Sequence, residues 1–201
     1  MKNSKLFINC PYDKEYNPLF QILVYFSYLF SHEPCFCSED YSSSSRMNKI
    51  IQLIKETDIG IHDISRITLS DGYPRFNMPF ELGMDYFYSE DVNKQKKLLV
   101  LDDSDGTYRK TLSDLNCSDI GAHNKDPKTL INILRNFFIS LDNLQNVPSS
   151  DILLKQYRTI FKVWLSNNLK NNGIKGNKIA MSEFKAKVKL FFDGNYVDCP
   201  C

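Results

Sequence analysis

The chain has 201 residues, 25 Lys and Arg against 24 Asp and Glu, and 42% hydrophobic residues. That length suits one well-buried domain with an appendage rather than two ordinary domains. Balanced charge and the absence of an apolar run of bilayer length argue against a nucleic-acid or membrane protein, and the lack of a signal-peptide pattern after Met1 makes the cytoplasm the expected location.

In chain order, Lys5 to Asn9 reads as a short strand, and Leu19, Ile22, Leu23, Phe26 and Phe30 then recur at helical spacing. Pro34 to Ser38 reads as a second strand. A serine-rich loop, Ser42 to Ser45, leads into a helix with Met47, Ile50, Ile51 and Ile54 on one face. Ile59 to Asp63 is the third strand, and a helix opens near Pro79. Leu98 to Leu101 forms a fourth strand, Tyr108 to Leu115 a helix and Ile120 to Ala122 a weak fifth strand. Asp126-Pro127 starts a helix carrying Leu130, Ile131, Leu134, Phe137, Phe138 and Leu141 in register.

Strands alternating with helices imply parallel pairing through right-handed crossovers, with helices on both faces. The expected fold is α/β and flavodoxin-like, a five-stranded parallel sheet in the order 2-1-3-4-5. Its switch point lies between strands one and three, and a ligand belongs outside their carboxyl ends. The side chains expected there are Asn9, Cys10, Pro11, Tyr12 and Asp13 after strand one, His62, Asp63, Ser65 and Arg66 after strand three, and Glu81 in the following helix.

The α/β domain is expected over residues 1–145 and a basic helical extension over 146–201. From Asp151 onward nine Lys and Arg face four Asp and Glu, a net charge of +5 that leaves −4 on residues 1–150. Leu153, Leu154, Tyr157, Ile160, Phe161, Trp164 and Leu165 form one amphipathic stripe, and Met181, Phe184, Val188, Phe191 and Phe192 another. These helices either pack on the sheet domain or present a surface for self-association or a partner. Lys185, Lys187 and Lys189 lack interleaved aromatic readers and fit a solvated face better than a nucleic-acid interface.

The six cysteines are read as free thiols, and the C-x-C pairs Cys35/Cys37 and Cys199/Cys201 lack zinc-knuckle spacing, so no metal is expected. Neither a G-x-G-x-x-G nor a Walker sequence occurs, which disfavours dehydrogenases and P-loop enzymes. Asn9-Cys10-Pro11 stands where a phosphorylation receiver needs an acidic pair.

Phe7-Ile8-Asn9, the serine-rich loop before Arg46, Ile61-His62-Asp63-Ile64-Ser65-Arg66 and Pro79-Phe80-Glu81-Leu82-Gly83 together resemble a bacterial TIR-like domain over about residues 4–145. The last motif is also similar to the Phe-Glu-Leu-Gly helix start of nucleoside 2-deoxyribosyltransferases. The TIR resemblance implies a flavodoxin-like fold and, as in many bacterial members, cleavage of NAD at the nicotinamide–ribose bond, with products that include ADP-ribose and cyclic signals in antiphage defence. It implies Glu81 as the catalytic residue, NAD as substrate and no separate cofactor. Assembly, or a defence-system partner engaged through residues 151–201, would control activity. Asn77-Met78-Pro79-Phe80 replaces the Trp-Cys pair that commonly precedes the family's glutamate.

On this reading Phe7 or Tyr12 stacks on a ring, Asn9 donates to a ribose or phosphate oxygen, and Ser45 and Arg46 meet a diphosphate. Cys10, Asp63 and Asn77 complete the substrate-binding set. Each has a plainer alternative. A glutamate in a first helical turn is favoured by the macrodipole in any case. Asp63 can cap its loop, His62 can be a hydrogen-bonded core histidine, the serines can be an ordinary loop, and Phe7 can be core in a strand buried on both faces.

Overall fold

The computed structural model of the protein describes residues 4–37, 45–65, 75–104, 112, 120–174 and 179–194. Five parallel strands, β1 (Lys5–Asn9), β2 (Glu33–Cys35), β3 (Ile59–Asp63), β4 (Lys97–Asp102) and β5 (Ile120–Ala122), form one sheet in the order β2-β1-β3-β4-β5. This is the expected flavodoxin-like order. The connecting helices are α1 (Asn17–Leu29), α2 (Arg46–Glu56), α3 (Asn77–Phe87) with a π-helical turn at Tyr88–Val92, and α4 (Pro127–Asp142) after β5. The helix expected over 108–115 lies outside the described residues apart from Leu112.

Local chemistry fixes several helix ends. Ser45 caps α2 by accepting from the Asn48 N–H, and Asp126 caps α4 by accepting from the Thr129 N–H just before Pro127. Helix α4 stops at Asn143, which adopts the left-handed conformation with φ 52°. Helix α3 opens at Asn77, two residues earlier than the sequence suggests, because a proline within the first turn loses only an N–H that has no intrahelical partner. Glu81 therefore lies beyond the first turn. Its position owes little to the helix terminus.

The period of two along the strands sends alternate side chains to opposite layers. Phe7 packs against Ile50 and Ile54 of α2, while Val100 packs against Met78 and Leu82 of α3. Leu6, Ile8, Ile59, Ile61, Leu99 and Leu101 join the larger core with α1 and α4.

That core also takes in the C-terminal helices α5 (Ser150–Gln156), α6 (Lys162–Asn171) and α7 (Met181–Asp193), with a π-helical turn at Tyr157–Phe161 between α5 and α6. Helix α1 is the reason. It buries Leu19, Leu23 and Phe26, but also Phe20, Val24 and Tyr25 around the rest of its circumference. A helix apolar all round must be covered on every side. The Tyr25 ring meets Tyr157, Phe161 and Phe192 at centroid distances of 5.0, 4.7 and 5.2 Å. Lys185 of α7 lies 3.9 Å from Glu33 and over the Phe36 ring. The apolar stripes of residues 151–193 are thus largely used in packing on α1.

Tyr25 allows a direct test. Tyr25→Ala should cost about 3–5 kcal/mol in urea unfolding, the usual range for a buried aromatic, with sheet and C-terminal helices still unfolding in one transition. The buried Tyr25 hydroxyl has no hydrogen-bond partner among the described residues, so Tyr25→Phe should match or exceed wild-type stability.

Candidate functional site

The carboxyl end of β1, the start of α2 and the entry of α3 enclose a cleft of about 310 Å³ lined by Asn9, Cys10, Pro11, Tyr12, Arg46, Arg75, Phe76, Asn77, Met78 and Glu81. It lies at the switch point where the strand order reverses. Of the predicted site residues, Asn9, Cys10, Tyr12, Arg46, Asn77 and Glu81 meet there.

Glu81 is only 6% exposed. Among the described residues its carboxyl group makes no hydrogen bond. Burial pushes its pKa up from 4.5 to about 7, against a smaller opposing pull from the Arg46 guanidinium. The group is therefore poised to change charge near neutrality. Cys10 is different: burial, then the negative charges of Asp63, Glu81 and Asp13, raise its pKa well above the ordinary thiol value. Cys10 stays protonated, a neutral wall of the cleft rather than a nucleophile. Tyr12 donates its hydroxyl proton to the Ile8 carbonyl at 3.0 Å and sets its ring edge-on to Phe20.

Asn9 is held from beneath. Its Nδ2 donates to the Met78 carbonyl at 3.0 Å and to His62 Nδ1 at 3.0 Å. Both amide hydrogens are used, so Asn9 offers the cleft a carbonyl oxygen and not the donor expected from sequence. With Nδ1 accepting, His62 carries its proton on Nε2 and donates to Asp85 Oδ2 at 2.9 Å. Lys96 Nζ lies 2.8 Å from the other Asp85 oxygen and donates to the Ile54 carbonyl and Thr57 Oγ1 at 2.7 and 2.9 Å. The side chains of His62, Asp85 and Lys96 are wholly buried. His62 is thus a supporting residue, one hydrogen bond removed from the cleft.

Three residues of the predicted substrate-binding set fall elsewhere. Phe7 is core against α2, with its ring 5.7 Å edge-on from His62. Asp63 follows His62 and so faces the α1 side, away from Asn9. Its Oδ2 accepts from the Tyr16 hydroxyl and lies 3.0 Å from His123 Nε2, while Oδ1 accepts the Ser65 N–H at 2.9 Å. Burial alone would raise the Asp63 pKa, but the bonds from His123, Ser65 and Tyr16 hold it below the ordinary value. Asp63 caps its loop, and it ties β3 to the segment after β5. Ser45 caps α2 and does not line the cleft. Ser42 to Ser44 and Arg66 lie outside the described residues.

Arg75 is the lining cation the sequence reading passed over. Its Nη1 donates to Asp13 Oδ2 at 3.0 Å and so bridges the entry of α3 to the β1–α1 loop. Its place beside the Phe-Glu-Leu-Gly motif was the available signal. The cleft thus gathers two cations, the Asn9 carbonyl and a carboxyl group whose pKa is raised by burial.

Compared with known proteins, the chain matches no family model and no curated sequence. Among the described residues no helix is long and apolar enough to cross a membrane, and no three side chains are grouped to hold a metal ion.

Two measurements test this geometry. A Cβ at Gly60 would stand 2.7 Å from Asp85 Oδ2 and 2.8 Å from His62 Nε2, so Gly60→Ala should destabilise by about 1–3 kcal/mol and shift the His62 ring resonances in NMR spectra. Glu81 is protonated more readily when folded than unfolded, so wild-type stability falls as pH rises from 4.5 through about 7 and then levels. Glu81→Gln lacks that fall, and its melting temperature should exceed that of wild type by a margin that widens across this window.

Proposed function

We propose that the protein cleaves NAD at the nicotinamide–ribose bond, with Glu81 as the ribose-facing carboxylate. The observation that supports this most is a nearly buried carboxyl group with no hydrogen-bond partner among the described residues, held in a switch-point cleft beside two arginines. The resemblance to bacterial TIR-like domains supplies the reaction, and antiphage defence is the corresponding biological role.

The chemistry asks little of the protein beyond electrostatics. Nicotinamide leaves NAD as a neutral molecule because the ring is already cationic, so departure needs no general acid. The barrier lies in the oxocarbenium character that builds on the ribose, and an ionised carboxylate alongside lowers it. Entry of a cationic ring favours the ionised form of Glu81. Arg46 and Arg75 take the diphosphate, and the Asn9 carbonyl accepts from a ribose hydroxyl. Water then adds to the anomeric carbon, giving ADP-ribose, nicotinamide and one proton; attack by the adenine of the same molecule would give a cyclic product instead.

The test is chromatography of NAD incubated with the full chain, at several protein concentrations. Nicotinamide should appear with wild type and fall by at least about a hundredfold in Glu81→Gln, the scale of losing one preorganised electrostatic group. Its rate should rise with pH, with a midpoint near 7 or below as the cationic substrate favours ionisation. NAD left intact at every concentration, with a rise in melting temperature, would instead indicate a binding module. Exchange of bases between deoxynucleosides would indicate a deoxyribosyltransferase in which Glu81 attacks the sugar directly.

A further inference from the structure

A second cleft, of about 350 Å³, opens between the start of α1 and the C-terminal helices. Pro18 and Ile22 of α1, Pro127 at the head of α4 and Leu154 of α5 give it an apolar wall, and Arg158 and Lys162, one turn apart, supply its charge. No carboxylate lines it. Among the described residues neither cation makes an ion pair. Lys162 Nζ instead donates to the neutral Gln21 Oε1 at 2.8 Å and lies 5.9 Å from the Tyr157 ring centroid. Burial lowers the Lys162 pKa, which is the mark of an ammonium drawn in without a counter-charge.

Such a pairing of cations without an acid, against an apolar wall, has a natural complement. Two positive charges call for a ligand bearing two negative ones, and a phosphate monoester at neutral pH comes close to that because its second ionisation lies at about pH 6. The amino ends of α1 and α4, at Asn17 and Pro127, border the same cleft, the second of them already capped by the Asp126 carboxylate. The volume is at the lower end for small-molecule sites, about 300–1,000 Å³, and the wall suits a ring or short apolar body. We propose that this cleft binds a small organic phosphate monoester, with the phosphate on Arg158 and Lys162 and the organic body on Pro18, Ile22 and Leu154.

The place has a structural consequence. The β1–α1 loop supplies Cys10, Pro11 and Tyr12 to the Glu81 cleft and enters α1 at Asn17, whose N–H donates to the Asp13 carbonyl at 3.0 Å. A ligand seated against Asn17 and Pro18 therefore stands at the foot of the loop that walls the other cleft.

Calorimetric titration of the full chain with AMP and with phenyl phosphate tests the site, with adenosine and inorganic phosphate as the partial ligands. Both esters should bind, adenosine should not, and inorganic phosphate should bind more weakly than either ester. Arg158→Gln/Lys162→Gln should weaken phenyl phosphate binding at least about tenfold, the scale of one charge-assisted hydrogen bond, while Arg46→Gln does not abolish it. Arg158 is exposed and Lys162 half-buried, and an unchanged melting temperature would verify the fold. The proposal is overturned if neither ester binds up to about 10 mM, if the double variant binds as wild type does, or if Arg46→Gln abolishes binding. Phenyl phosphate contains no part of NAD and its binding does not depend on turnover, so that arm is separable from the fate of the Glu81 reading.

Discussion

Burial of α1 on every side is the constraint from which the rest of the architecture follows. One side of this helix covers the sheet, and the other, through Val24 and Tyr25, needs a cover of its own. The C-terminal helices provide it, and in doing so become part of the same core rather than a tethered appendage. The aromatic cluster around Tyr25 thus joins the two stretches that charge and composition separate.

On the opposite face of the sheet a polar line does comparable positioning. A buried lysine, carboxylate and histidine are expensive to desolvate, and such groups persist where each is bonded to the next. Here Lys96 meets Asp85, Asp85 accepts from His62, and His62 accepts from Asn9. The line ends at a residue of the cleft, whose amide is thereby fixed in one orientation. Gly60 makes room for it, since even a methyl group there would overlap the His62–Asp85 contact. A separate bond set, Tyr16–Asp63–His123, does similar work on the α1 side.

Much of this was legible in the sequence, for identifiable reasons. The strand Ile59–Asp63 is readable to the residue, and alternation of strands with helices leads to the observed sheet order. The switch point then gathers Asn9, Cys10, Tyr12 and Glu81 without further information. Other features needed three dimensions. Reading one stripe on α1 hides the second, although Phe20, Val24 and Tyr25 were there to be counted. Asp63 and Asn9 look like neighbours along two adjacent strands, but the pleat sends them to opposite faces. The Asp85–Lys96 contact joins a helix to the residue before a strand, and no local pattern announces it. A proline inside the first turn of α3 moved the helix start and took Glu81 out of reach of the explanation by helix terminus.

The outermost strand at one side of the sheet, β2, is three residues long, and its middle residue is Pro34. An imide nitrogen has no hydrogen to offer, and three residues give an incoming strand little ladder to follow. Lys185, lying over Phe36 and close to Glu33, places a charge beside that border. The sheet is thereby guarded at this border against growing by recruitment of extended chain, a recurrent hazard of exposed β edges. Copies of this protein crowded together would meet there through helix surfaces and loops, contacts that can be made and released without remodelling the fold.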